Sequence, residues 1–227
     1  MDLLNSNGAR AAAAFSLLAA LSYLLLPFEA GSLAFIIQKS LACFSLAVVV
    51  VMVAPPGPTK KTLILALLAS TAGDAFLAIR QGDYFIHGLG SFLIAHILYI
   101  RIFARNLNRS EASHQAVRRT LSVAIIGFAA AMMYLLWDAL GGMKAPVFVY
   151  ITVISIMGVA ALLSRLSLFW AGFGAISFMV SDGIIAVNKF LVPFDLASPF
   201  IWVTYMAAQY SLVYAILRFQ AQKKADI

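Results

Sequence analysis

The sequence predicts an all-α, polytopic integral membrane protein with eight transmembrane helices, and three observations predict it. Of its 227 residues, 63% are apolar and 11% charged, against roughly 25% charged in a soluble domain. The apolar residues fall in uninterrupted stretches, and a helix needs roughly 20 such residues to cross a bilayer. Eight stretches with short connections use nearly the whole length, so residues 1–227 read as a single membrane domain with no room for a soluble one.

The spans follow from the punctuation, at about 11–28, 33–54, 62–80, 86–104, 117–137, 146–163, 170–190 and 199–219. The first follows Arg10 and runs longer than the roughly 7 to 15 apolar residues of a signal peptide, so it reads as an uncleaved helix. The second ends at Pro55-Pro56-Gly57-Pro58, which cannot continue a helix. Gly141-Gly142 loosens the end of the fifth, while Pro146, Pro193 and Pro199 suit helix starts and loops. Trp137, Tyr150, Trp170 and Trp202 fall near span ends, where an interfacial aromatic belt would place them as anchors.

Charge sets the orientation. One side of this arrangement holds twelve cations, Arg10, Lys60, Lys61, Arg101, Arg105, Arg109, Arg118, Arg119, Arg165, Arg218, Lys223 and Lys224; the other holds Arg80, Lys144 and Lys189. Cytoplasmic loops carry the excess, so both termini are expected in the cytoplasm, and short loops suit a bacterial inner membrane. The net charge of +7 is scattered over loops rather than gathered on a helix face, which argues against nucleic acid as a partner. Cys43, the one cysteine, lies in an apolar run and excludes a disulfide framework or a cysteine-based metal cluster.

Spans three and seven share a short pattern. Ala72-Gly73-Asp74 is followed by Ala78, and Val180-Ser181-Asp182 by Ala186, at an offset of four spans. An even number of spans preserves direction, so the pattern allows a parallel four-plus-four repeat in which each half contributes one carboxylate.

A charge at the bilayer centre costs about 2.5 to 3.5 kcal/mol even on lenient scales, so intramembrane polar groups mark function or tight pairing. Asp74 and Asp182 each lie about 18 Å from the cytoplasmic end of their spans, and Lys39 about 9 Å in from the opposite side, at 1.5 Å per residue. His96 and Gln209 sit nearer the middle of spans four and eight. Five helices thus place polar groups in one slab, where lipid cannot solvate them and a common inward cavity would. One alternative is a purely structural ion pair between Lys39 and Asp74. A lysine at that level also argues against a divalent ion, and no metal is expected.

Two carboxylates sharing a cavity with one lysine can hold opposite protonation states, which supplies both an acid and a base. With Lys39 neutralising Asp74, Asp182 is the proton donor. That pairing suits reactions through an oxocarbenium-like cation, the logic of glycoside hydrolysis. Vinyl ethers hydrolyse by the same electronic route.

Gly73-Asp74, Leu77, Phe85, Gly88-Leu89, Phe92, His96 and Tyr99 resemble the third-to-fourth-helix signature of the YhhN family of membrane proteins, which includes the lysoplasmalogenases. Gly174-Ala175, Phe178 and Ser181-Asp182 resemble its seventh-helix motif, and Ala208-Gln209-Tyr210 its last-helix motif. Lys39 matches the family's second-helix lysine, with Ser40 where a proline often stands. The resemblance implies a hydrolase that cleaves the sn-1 vinyl ether of lysoplasmalogens without a cofactor. Combined with the buried acids, that activity suggests Asp74 and Asp182 as the catalytic pair, Asp182 protonating the β carbon of the vinyl ether and Asp74 stabilising the oxocarbenium. His96, Tyr99, Gln209 and Tyr210 would orient water or the glycerol hydroxyl, Ser181 would join helices beside the site, and Lys39 would hold Asp74 ionised or meet the phosphate. A lysophospholipid fits: its chain lies among membrane lipids and helices while its head group meets few cations. The runner-up is a proton-coupled transporter, since membrane-embedded acids, a lysine and parallel repeats also describe one, although uninterrupted spans count against it, and a non-catalytic lipid-binding protein would use the same acids only to hold helices together. A retinal protein is disfavoured, since span eight has no Schiff-base lysine.

Overall fold

A computed structural model describes residue 4 and residues 6–107 and 114–225; Arg109, one of the cations counted above, lies outside them. The described residues form eight helices: α1 Asn7–Leu25, α2 Leu33–Val53, α3 Pro58–Ala78, α4 Phe85–Ala104, α5 Gln115–Leu136, α6 Lys144–Leu163, α7 Phe173–Phe190 and α8 Ala197–Ala225. A 3₁₀ turn, Gly141–Met143, leads into α6 and a π turn, Leu168–Gly172, into α7. Eight segments are long and apolar enough to cross a membrane, those of α6 and α7 including these turns. The chain is an all-helical, multi-pass membrane protein.

The helix ends differ from the expected spans where caps and prolines act. Ser6 caps α1, its hydroxyl accepting from the Ala9 amide at 3.1 Å, so that helix begins before residue 11. It stops at Leu25 because Pro27 holds Leu26 extended, at φ −114° and ψ 106°. Pro58 occupies the first turn of α3, which starts ahead of Lys60 and Lys61. The eighth helix continues through Lys223 and Lys224 to Ala225.

By their internal contacts the residues divide into two compact units. Unit one holds the described residues up to Ile102 together with Leu217 onward, and unit two holds Phe103–Ile216. In unit one, α2 packs on both α1 and α3. The Gln38 amide donates to the Ser22 and Leu26 carbonyls at 2.9 and 3.2 Å, tying α2 to the end of α1. Lys60 donates to the carbonyls of Val51 at 2.6 Å and Ala54 at 3.0 Å, closing the end of α2. In unit two, α5, α6 and α7 pack together. Arg118, 8% exposed near the start of α5, donates to the carbonyls of Leu162, Ser164 and Leu166. One guanidinium thus satisfies the end of α6 and the turn after it.

Small residues bring helices close, as expected for membrane packing. A Cβ on Gly73 would come within 2.6 Å of the Phe92 ring, one on Gly88 within 2.6 Å of Leu77, and one on Gly174 within 2.8 Å of Leu212. Gly90 does not share this role, because nothing lies within 4 Å of its Cβ position. Large apolar side chains such as Leu25, Val123 and Phe169 are exposed, which lipid tolerates.

Gly174→Ala should therefore force Leu212 and its backbone amide away, costing about 1 to 3 kcal/mol. Gly127→Ala, in α5 with nothing within 4 Å, should be neutral or slightly stabilising. Thermal unfolding of the two variants in detergent checks the contrast.

Candidate active site

The residues singled out in the sequence divide between the units: Lys39, Asp74, His96 and Tyr99 belong to one, and Ser181, Asp182, Gln209 and Tyr210 to the other. In unit one, Asp74 is 3% exposed and lies one turn before the end of α3 at Ala78. Glycine makes that burial compatible with close packing. Gly73 admits Phe92 of α4 beside the acid, and Gly88 admits Leu77, so α3 and α4 draw together over this turn. His96 and Tyr99 are fully buried further along α4.

Lys39 is half-buried on α2. Its Nζ lies 5.8 Å from the Tyr23 ring centroid, in cation–π range, and within electrostatic reach of Asp74 and Arg80. Among the described residues no carboxylate is in ion-pair contact with it. A contact pair with Asp74, the structural alternative weighed above, is thus not formed.

In unit two, Asp182 is half-buried on α7. The Tyr150 phenol of α6 donates to its Oδ2 at 2.5 Å. Next to it, the buried Ser181 hydroxyl donates to the Ile201 carbonyl of α8 at 3.1 Å, holding α7 to α8. Gln209 is fully buried, its amide nitrogen 3.2 Å from the Tyr205 hydroxyl one turn earlier on α8. Tyr205 packs edge-on against Phe178 with centroids 5.4 Å apart, and lies 6.0 Å from Trp202. Tyr210 is half-buried on the same helix.

Two readings change. Tyr150 is not a belt anchor: α6 begins at Lys144, which puts this tyrosine nearly two turns in, 7% exposed and bonded to a carboxylate. The signal was its spacing, since Val147, Tyr150, Ile154, Met157 and Ala161 make one buried stripe of α6. Trp202 is likewise buried, whereas Trp137 is exposed and Trp170 half-buried against Tyr214. The equal depth assigned to the two acids also shifts. Counted back from the helix ends, Asp74 lies about one turn and Asp182 about two turns inside. Among the described residues no three His, Cys, Asp or Glu side chains gather into a metal-ligating group.

Comparison with known proteins adds a further finding. The YhhN family model matches residues 34–216. The chain is 33% identical over 158 residues to a lysoplasmalogenase of Mycobacterium bovis, covering 68% of this chain and 60% of that protein. It is 32% identical over 161 residues to lysoplasmalogenase TMEM86A of Homo sapiens, covering 67% and 63%. With lysoplasmalogenase TMEM86B of Mus musculus it shares 30% identity over 210 residues, covering 91% and 86%. The chain thus spans about 60% of the length of the mycobacterial relative. No solved structure matches.

Tyr150→Phe removes one buried hydrogen bond and should cost about 1 kcal/mol of stability. Tyr134→Phe, at a site 84% exposed, should cost nothing measurable. Paired thermal melts in detergent read the difference.

Proposed function

Because this chain belongs to the YhhN family, we propose that it is a lysoplasmalogenase-like hydrolase. It cleaves the sn-1 vinyl ether of a lysophospholipid to a fatty aldehyde and a glycerophospho-alcohol. The observation that carries the reading is the short bond from Tyr150 to Asp182, a carboxyl group two turns inside a membrane-spanning helix with a phenol set on one of its oxygens.

A vinyl ether is cleaved once a proton reaches its β carbon, which leaves an oxocarbenium ion on the α carbon and the ether oxygen. Asp182 delivers that proton, and the phenol of Tyr150 meets the negative charge that then develops on Oδ2. Asp74, buried and within electrostatic reach of Lys39, stabilises the oxocarbenium. Water adds to the α carbon and returns a proton to Asp182, giving a hemiacetal. The hemiacetal collapses to aldehyde and alcohol, so the carboxyl group ends as it began. His96, Tyr99, Gln209 and Tyr210 orient water or the glycerol hydroxyl, and Ser181 holds α7 in register with α8. No cofactor enters this scheme. The cation count supports cytoplasmic termini, and the short loops suit a bacterial inner membrane.

Purified protein in detergent should release aldehyde from lysoplasmalogen without any gradient, which an obligate transporter would not do. Asp182→Asn and Asp74→Asn should each lower kcat by about 10²- to 10⁴-fold, and Tyr150→Phe should lower kcat by about tenfold with little change in KM. No aldehyde from the wild type would refute the hydrolase reading, and full activity in both aspartate variants would refute the carboxylate mechanism.

A further inference from the structure

The α1–α2 turn and the end of α3 bring two cations, Lys39 and Arg80, to one end of unit one, where the acids Asp74, Glu29 and Asp83 are also placed. Arg80 follows the last residue of α3 by two positions, and its stem crosses the α1–α2 turn at Gly31. Gly31 has φ +90°, and a Cβ there would lie 2.8 Å from both Cβ and Cγ of Arg80. The arginine therefore lies over the entrance to α2, next to Ser32, whose hydroxyl caps the first turn of that helix by accepting from the Phe35 amide at 3.2 Å. Lys39 stands about 9 Å along the same helix from Leu33 and within electrostatic reach of Arg80. Among the described residues neither cation has an ion pair. Lys39 meets only the Tyr23 ring, and Arg80 is exposed.

Lys39 senses Asp74 more strongly than Arg80, and an anion seated between the two cations on the rim side would add to that partner. The start of α2, with its unpaired amides, favours the same sign. A guanidinium at the rim suits a phosphate, which its planar fork binds through two oxygens. Along α3, the order from inside to rim is Asp74, Ala78, Arg80, with Lys39 in reach of both charged ends. In the proposed substrate the vinyl ether oxygen and the phosphate are separated only by glycerol.

We propose that Lys39 and Arg80 form the seat for the phosphate of the lysophospholipid head group, with Gly31 as the residue that lets Arg80 lie there. This inference rests on the hydrolase reading for the identity of the lipid. The seat reads the phosphate and not the amine beyond it, so ethanolamine and choline head groups are accepted alike, whereas a phosphate-free alkenylglycerol is a poor substrate.

The test separates binding from turnover. The probe is a 1-O-alkyl lysophospholipid, whose saturated ether cannot be cleaved by protonation of a double bond, titrated into the full chain in detergent by calorimetry. Arg80→Gln should weaken its binding about tenfold, and Lys39→Gln at least as much; Lys39→Arg should restore most of the loss, and Gly31→Ala should resemble Arg80→Gln. The kcat/KM ratio of lysoplasmalogen to alkenylglycerol should fall by a similar factor in Arg80→Gln. Glycerophosphoethanolamine should compete with the probe better than inorganic phosphate does; equal competition would assign the seat to free phosphate and overturn the lipid assignment. Unchanged binding in Arg80→Gln, or equal loss on both substrates, would overturn the seat itself. Arginine-dependent binding without aldehyde from the wild type would keep the seat and discard the hydrolase.

Discussion

Hydrocarbon offers no hydrogen bonds, so each polar group carried into the membrane must find its partner within the protein. Most of the polar detail here follows from that. Thr62, Thr71, Thr152, Ser155 and Thr204 each return their hydroxyl to the carbonyl four residues earlier on their own helix, at 2.7 to 2.9 Å. Helix ends, where the carbonyls lack partners, are closed from other helices by Gln38, Lys60 and Arg118. Groups whose needs exceed what their own helix supplies are the ones that organise the site. A carboxylate cannot be satisfied by its own turn of helix, so Asp182 draws Tyr150 from α6.

The cations divide by the same rule. Lys60 and Arg118 spend their charge on backbone carbonyls and are structural, although both count equally in a tally of loop charges. Lys39 and Arg80 close no helix end: Lys39 lies over the Tyr23 ring, and Arg80, two residues past the end of α3, crosses Gly31 in the turn before α2. Their placement calls for an anion of another kind.

Much of the fold was legible in the sequence because the background is so apolar. A proline cluster, a glycine pair or a stray charge stands out against Val, Leu and Ala, and all eight helices were found that way. The ends were less legible: Ser6 extends α1 backward through a single hydroxyl, and Lys223 and Lys224 remain helical although they look like a loop. Candidate acids were visible for the same reason as the spans. Tyr150 was not, because an aromatic near a span boundary reads as an anchor until the boundary moves by two residues and the periodicity of α6 turns its ring inward. The neighbours of Lys39 were equally hidden. That its ammonium meets Tyr23 and senses Arg80 depends on how α1 and α3 pack on α2, which spacing within one helix does not encode.

Arg118 has a consequence for how the chain is made. Its carbonyl partners lie 44 to 48 residues downstream, so when α5 first emerges from the ribosome the guanidinium has nothing to bind. The contact therefore belongs to the α5–α6 pair and to neither helix alone, since it can form only once the whole of α6 has been made.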